Sequence, residues 1–205
     1  REFSLVEDGE RGLAVFAVGL PETAATRDPE GKLVMALTLL RCVGWLSRDD
    51  FPTRRCQNAG PTLQTPDAQC IGPQPFRYAV FPYEDGHLEA GVKNVARMWR
   101  VPVPTIQGVW EGHVPGNCGL VGTRTRLTSV TAVKKHEARD TLVVRLYNLS
   151  DGPVTETLEF GATVRAAWRV DLLEERVRSL EVSGGTLELE LRPCEIATVE
   201  VEFEG

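Results

Sequence analysis

The stretch T-L-E-L-E-L-R at residues 186–192 decides the fold class of this chain. Leucine occupies every second position and glutamate the positions between, so an extended backbone would have one apolar and one charged face. Residues 199–203 repeat the pattern as V-E-V-E-F. A period of two over such short runs predicts half-buried antiparallel strands with their glutamates facing solvent.

Further segments of this kind extend the strand prediction over most of the chain. They are residues 13–18, 33–42, 77–81, 141–147, 154–160, 163–172 and 178–182. The pair Gly184-Gly185 is a candidate hairpin turn between the last of these strands and the strand that begins at Thr186. We therefore expect an all-β, mainly antiparallel fold of the β-sandwich kind.

One helix near residues 86–100 interrupts the strands. Apolar residues recur there at helical spacing from Leu88 to Trp99, Asp85 is a candidate N-cap, and Pro102 would end the helix. The helical spacing also favours core packing for Met98.

Two packed subdomains are expected, a large one over residues 1–125 and a C-terminal antiparallel β-sandwich over 126–205. Nine of the 13 prolines lie between Pro52 and Pro115, and residues 43–76 are predicted to form a long irregular loop. Loops of this length in a compact domain are usually functional or disordered, and the apolar residues of this one favour order.

Charge and composition exclude several function classes. The chain has 23 Lys and Arg against 29 Asp and Glu, a net charge of −6, which argues against general nucleic-acid binding. The longest apolar run, residues 33–40, is too short to span a membrane. The chain begins at Arg1 without a methionine, so we expect it to be part of a longer protein.

Five cysteines contain no C-x-x-C pair, which argues against a disulfide scaffold or a structural zinc site. We expect them to be small buried residues of a protein in a reducing compartment, the cytoplasm. The three histidines have no partner at a recognised ligand spacing, so no metal site is expected. Neither a G-x-S-x-G elbow nor a phosphate-binding loop is present.

The adjacent carboxylates Asp49 and Asp50 are the one candidate for acid–base chemistry. Glycosidases need carboxyl groups about 5 Å or about 6.5–9.5 Å apart that face each other across the scissile bond. Neighbouring residues of an extended chain point to opposite sides. A turn or capping role is therefore favoured over catalysis for this pair.

Several motifs together resemble the C-terminal β-region of glycoside hydrolase family 38 α-mannosidases of the bacterial type. They are G-L-P-E at 19–22, L-T-L-L-R-C-V-G-W-L-S-R at 37–48 followed by D-D-F-P-T-R-R, A-G-P at 59–61, T-P-D-A-Q-C at 65–70 and R-P-C-E-I-A-T-V-E-V at 192–201. They occur in the expected order over nearly the whole chain. Cys194 stands where the family usually has an aromatic residue.

The resemblance implies that residues 1–125 are a galactose-mutarotase-like sandwich and that catalysis belongs elsewhere. Family members have an N-terminal α/β barrel with a zinc ion, an aspartate nucleophile and an acid carboxylate, followed by a helical bundle. The zinc-binding His-x-Asp motif has no counterpart here. The expectation is therefore no catalytic residue, metal ligand or cofactor in this part, with zinc in the preceding catalytic domain.

One residue role carries over from the resemblance as an expectation. In some relatives an Asp-Asp-x-Arg loop bends toward the barrel, and its arginine approaches the substrate. Here Asp49 and Asp50 are followed by Arg54 and Arg55, two residues later than in that pattern. These four residues are the candidate substrate-binding set, since arginine offers five fixed donors to a hydroxyl-rich ligand. Alternatively, the arginines pair with Asp49, Asp50 or Asp67 and only hold the loop.

The leading hypothesis is a non-catalytic C-terminal domain of an α-mannosidase that binds carbohydrate and supports the active-site wall. Its partners would be the N-terminal catalytic domain of the same chain and a mannoside or oligosaccharide, without nucleic acid or membrane; a homo-oligomer is left open. The alternative is a free-standing carbohydrate-binding or structural β-sandwich module. Only 7% of residues are aromatic, which weakens that alternative.

Overall fold

The computed structural model describes residues 2–52, 54–55, 59–109 and 119–204, with the backbone alone for Phe51, Arg54 and Arg55. It divides into two compact units. Unit 1 comprises Arg1–Val6 and Leu13–Pro82, and unit 2 comprises Glu7–Gly12 and Tyr83–Gly205. The two subdomains expected on either side of residue 125 stay a prediction.

Unit 1 is built mainly from short strands with little apolar burial. Its elements are β1 (Phe3–Glu7), β2 (Arg11–Val18), β3 (Thr23–Arg27), β4 (Leu33–Leu37), β5 (Asp50–Phe51), β6 (Arg54–Arg55), a 3₁₀ helix (Pro66–Gln69) and β7 (Arg77–Glu84). The order β1-β2-β7 makes one sheet, while β3 pairs with β4 and β5 with β6. Ala14, Val15 and Phe16 are its buried apolar residues, and the Phe16 ring stacks on Phe81 at 5.8 Å.

Unit 2 is a sandwich of two antiparallel sheets with one helix. Its elements are α1 (Val92–Arg100), β8 (Val121–Thr123), β9 (Thr128–Lys135), β10 (Leu142–Asn148), β11 (Val154–Phe160), β12 (Val164–Val170), β13 (Arg176–Leu180), β14 (Thr186–Leu191) and β15 (Ile196–Phe203). One sheet has the order β13-β12-β15-β10-β9 and the other β14-β11-β8. The core lies between them, because the buried cluster draws residues from β10, β12 and β15 on one side and from β11 and β14 on the other.

The alternating pattern of β14 behaves as its sequence predicts. Leu187, Leu189 and Leu191 are at most 2% exposed, and the two glutamates between them face solvent. β15 differs, because it lies between β12 and β10 in the middle of the larger sheet. Glu200 on this strand is completely buried, so the expectation that its glutamates all face solvent is wrong at this position.

The predicted all-β, mainly antiparallel fold with one helix is confirmed. The strand predicted at 154–160 has the observed bounds, whereas the one at 33–42 ends at Leu37. Six strands, β1, β3, β5, β6, β8 and β9, were not predicted. β3 reads T-A-A-T-R, with four exposed residues, so it shows no apolar alternation.

Two local predictions are wrong. The helix begins at Val92 behind Gly91, whose φ of 63° suits glycine, and Asp85 does not cap it. The predicted 184–185 hairpin is a turn closed by hydrogen bonds between Ser183 and Thr186, but it leads from β13 in one sheet to β14 in the other. A Gly-Gly turn can connect two paired strands or two strands of different sheets, so the turn residues alone do not determine whether β13 and β14 pair.

Three cysteines, Cys42, Cys70 and Cys194, are unpaired and exposed, so the expectation that they are buried is wrong for them. Cys56 and Cys118 lie outside the described residues. Met98, expected in the core, is 69% exposed. No helix in the described ranges is long and apolar enough to cross a membrane.

Gly12 is a position where a side chain cannot be accommodated. A Cβ there would lie 2.2 Å from Cζ of Tyr83, whose buried ring is held by a hydrogen bond from its hydroxyl to Glu7 Oε2 at 3.0 Å. We expect Gly12→Ala to destabilise unit 2 by about 1–3 kcal/mol in guanidinium denaturation. Gly152→Ala is the matched control, since nothing lies within 4 Å of its Cβ position. Equal effects of the two changes would show that Tyr83 moves aside without cost.

Candidate functional site

The long loop predicted at 43–76 contains an arm, residues 42–70, whose two sides pair with each other. The Leu46 amide donates to the Leu63 carbonyl at 2.8 Å, and the Thr65 amide donates to the Gly44 carbonyl at 3.0 Å. Between these bonds Trp45 and Gln64 form an antiparallel bridge. Backbone pairing therefore gives the arm an extended, strand-like base.

Side chains close the base of the arm. The carbonyl of Val43 accepts hydrogen bonds from Thr65 Oγ1 at 2.9 Å and from Gln69 Nε2 at 2.8 Å. The Cys42 thiol contacts the Gln69 carbonyl at 3.2 Å. These bonds join the start of the arm to the segment around its 3₁₀ helix.

The tip of the arm brings the candidate substrate-binding residues together. β5 and β6 form a short antiparallel ladder in which Asp50 lies opposite Arg55 and Phe51 opposite Arg54. Asp49 directly precedes this ladder. The residues selected from the sequence therefore share one hairpin, although the side chains of Arg54 and Arg55 lie outside the described part of the chain.

Arg48 is the partner of Asp50, which the sequence reasoning missed. Its Nε donates to Asp50 Oδ1 at 2.8 Å, and a second guanidinium nitrogen donates to Oδ2. This pairing lowers the pKa of the Asp50 carboxyl. The spacing R-D-D was visible in the sequence, but an exposed arginine two residues away has many alternative rotamers. Asp50 is thus a carboxylate held by an arginine, which suits hydrogen bonding rather than proton donation.

Two histidines and the described carboxylates do not form a metal centre. His87 Nδ1 lies 2.8 Å from Glu7 Oε1, and His136 Nδ1 accepts the amides of Ala138 and Arg139, each at 3.1 Å. Within the described ranges no three His, Cys, Asp or Glu side chains lie close enough to hold a metal ion. The zinc that the family implies therefore does not fit these residues. His113 lies outside the described residues.

Glu7, Tyr83 and His87 form a second polar cluster that sequence reasoning missed. Glu7 Oε2 accepts the Tyr83 hydroxyl and the His87 amide, both at 3.0 Å. Burial alone would raise the pKa of Glu7, but these groups lower it. Burial and the neighbouring carboxylate raise the pKa of Tyr83. Almost 80 positions separate the partners, so no spacing in the sequence indicates the cluster, which fastens residue 7 to the segment 83–87.

Comparison with known proteins gives these observations a family context. Residues 128–199 match the model of the glycosyl hydrolases family 38 C-terminal beta sandwich domain. A putative mannosylglycerate hydrolase of Halalkalibacterium halodurans is 26% identical over 201 residues, which are 96% of this chain and 20% of that protein.

Two solved structures from Enterococcus faecalis have the same fold over 98% of this chain. One is a protein in glycosyl hydrolase family 38, with a TM-score of 0.74 and 27% identity. The other is an alpha-mannosidase, with a TM-score of 0.72 and 26% identity. The chain spans 22% and 21% of these two proteins, or about a fifth of each relative. Residues 128–199 therefore match the family 38 C-terminal β-sandwich domain, and the predicted resemblance of the chain to this family is confirmed.

Proposed function

We propose that this chain is the non-catalytic C-terminal β-region of an α-mannosidase, in which a zinc-dependent N-terminal barrel hydrolyses α-mannosides. The family model and the alpha-mannosidase from Enterococcus faecalis support this assignment. In the proposal this region supports the active-site wall, and the tip of its arm contributes polar contacts to the mannoside.

The apolar surface of unit 1 is the observation that carries the proposal. Thirteen large apolar residues of unit 1 are exposed. They are Val18, Leu33, Val34, Leu39, Leu40, Val43, Trp45, Leu46, Leu63, Ile71, Phe76, Tyr78 and Val80. Water-exposed apolar side chains in this number are typical of a surface that another part of a protein covers. A catalytic domain in the same polypeptide would cover it, as the share of the relatives that this chain spans also suggests.

The arm fits a role beside such a domain. Trp45, Leu46 and Leu63 are exposed along its paired base, while its tip holds Asp49, Asp50 and the two arginines. An apolar base would pack on the catalytic domain and a charged tip would reach its polar site. Loops that serve a binding site commonly combine an ordered base with polar residues at the tip.

A free-standing carbohydrate-binding module would require an exposed aromatic platform. Trp168 lies beneath the Arg176 guanidinium, whose central carbon is 3.4 Å from the centre of the indole ring. Trp99 is half-buried. Trp45 is 38% exposed, but it belongs to the arm. Trp110 lies outside the described residues. These environments favour the α-mannosidase proposal over the binding module.

The proposal places the enzyme in the cytoplasm, which the free thiols of Cys42, Cys70 and Cys194 support.

A homo-oligomer is the second way to cover the apolar residues of unit 1. Light scattering distinguishes the two. Covering by the catalytic domain predicts the mass of one full-length chain, and a homo-oligomer predicts a multiple of that mass. This chain alone should self-associate through its uncovered surface.

We expect the 205-residue chain alone to have no α-mannosidase activity, with or without added zinc, because its described residues provide no metal-ligand set. The measurement is turnover of an aryl α-mannoside, with the full-length enzyme as the positive control. Turnover by a preparation free of host enzyme that is lost on changing Asp49 or Asp50 to asparagine would overturn the proposal.

A further inference from the structure

Three arginines meet at one end of the unit 2 sandwich around a cleft of about 610 Å³. We call it the arginine cleft and define it by Arg169, Arg178 and Arg192 together with the carboxylates Glu190 and Glu195. Nothing in the proposed mannosidase role uses these residues.

Arg169 on β12 points into the space between the two sheets. Ala167, two residues earlier on the same strand, belongs to the buried core, and alternate residues of a strand share a face. The Arg169 side chain is 14% exposed, and one guanidinium nitrogen donates to Glu195 Oε1 at 2.7 Å. Its other guanidinium nitrogens donate no hydrogen bond within the described part of the chain. Among the described residues, no side-chain nitrogen is both fully buried and without a hydrogen-bond partner. These donors therefore open into the cleft.

Arg178 on β13 lies directly opposite Arg169 in the ladder. Side chains at such positions share one face, and like charges placed there destabilise a sheet. Arg178 is exposed and has no ion pair or hydrogen bond from its side chain in the residues that the structure describes. Burial lowers the pKa of Arg169. The positive charge of Arg178 lowers this pKa further, whereas the Glu195 carboxylate raises it.

The carboxylates of the cleft do not balance its cations. Glu195 is shared, since it accepts from Arg169 and also from the Arg192 amide at 2.7 Å and the Arg192 Nε at 3.5 Å. Glu190 lies on the rim of the cleft, on the exposed face of β14. Three guanidinium groups thus face two carboxylates. Planar arginine forks bind carboxylate and phosphate oxygens in pairs, so an added anion would satisfy the unused donors.

We propose that the arginine cleft is an oxyanion-binding site that takes the phosphate or carboxylate group of a small molecule. The facing pair Arg169 and Arg178 would hold the oxyanion, with Arg192 at the rim. Glu195 keeps Arg169 oriented, because it fixes one arm of the guanidinium and leaves the other arm directed into the cleft.

The test measures binding of inorganic phosphate to the 205-residue chain by isothermal calorimetry and thermal shift, with chloride of equal ionic strength as the reference. Arg178→Gln removes the unpaired cation without breaking a contact of the fold, and we expect it to weaken phosphate binding about tenfold or more. Glu190→Gln removes the competing carboxylate and should strengthen binding. Arg165→Gln is the matched control, because Arg165 lies on the same strand but pairs with Glu202 at the surface.

The probes separate the sources of the anion. Glucose 6-phosphate that binds more tightly than inorganic phosphate indicates a sugar phosphate, and acetate binding indicates that a carboxylate is accepted. Methyl α-mannoside, which is neutral, should not bind in the cleft. The proposal is overturned if phosphate acts no differently from chloride, or if Arg165→Gln weakens binding as much as Arg178→Gln does. Since the readout is anion binding, mannosidase activity does not affect the result.

Discussion

Glu200→Gln is expected to lower the free energy of unfolding of unit 2 by about 3 kcal/mol or more, because it leaves two partly buried guanidinium groups without their carboxylate. Glu200 is completely buried on the central strand β15. Its Oε1 accepts from Arg139 Nε, Thr141 Oγ1 and an Arg176 nitrogen, each at 2.8 Å. Its Oε2 accepts one further bond from each arginine at 3.0 Å. Guanidinium denaturation followed by tryptophan fluorescence measures the change.

The same carboxylate makes stability depend on pH. Burial by itself would raise the pKa of Glu200, but the bonds from Arg176, Arg139 and Thr141 lower it from 4.5 to about 2. As the pH falls, the unfolded chain therefore takes up this proton before the folded chain does. The stabilisation is complete above pH 4.5 and is lost between pH 4.5 and about 2. The difference in stability between wild type and Glu200→Gln should shrink over that interval.

Glu202→Gln provides the control for both measurements. Glu202 lies on the same strand, but its ion pair with Arg165 is near the surface, where such pairs contribute about 0–1 kcal/mol. A loss for Glu200→Gln as small as that for Glu202→Gln would contradict the role given to the buried carboxylate.

Replacing Arg54 or Arg55 by alanine in the full-length enzyme is expected to lower kcat/KM by about tenfold to a hundredfold. This corresponds to about 1.5–3 kcal/mol for one lost charge-assisted contact with substrate. The paired base of the arm supports this expectation, because it gives the tip a defined position at low conformational cost. Kinetics with an aryl α-mannoside and a melting temperature for each variant are the measurements.

Arg48→Gln separates a binding role from a structural one. It breaks the ion pair with Asp50 at the same tip but leaves the other two arginines in place. An arginine that only holds the loop would lower the melting temperature in proportion to activity, whereas a substrate contact lowers kcat/KM at unchanged stability. Wild-type kinetics for both Arg54→Ala and Arg55→Ala would exclude the arm from the active site.

The sequence alone identified the strands whose apolar residues alternate, as in β11 and β14, and its ordered motifs indicated the resemblance to family 38. It missed β3 because exposed strands need no alternation. It placed the helix cap at Asp85 because capping propensity is local, whereas the observed start depends on the left-handed backbone of Gly91.

The candidate functional site also divides into contacts that the sequence indicated and contacts that only the structure revealed. The family resemblance selected Asp49, Asp50, Arg54 and Arg55, and a short hairpin keeps these near neighbours in the chain together. The burial of Glu200, the pairing of Arg169 with Glu195, and the contact of Glu7 with Tyr83 all join residues that are distant in the chain. The sequence by itself thus determined the strand-forming segments, through local patterning, and the resemblance to family 38, through its ordered motifs. Only the tertiary structure decided which charges are buried and which arginines meet, because strand order and sheet packing bring distant residues together.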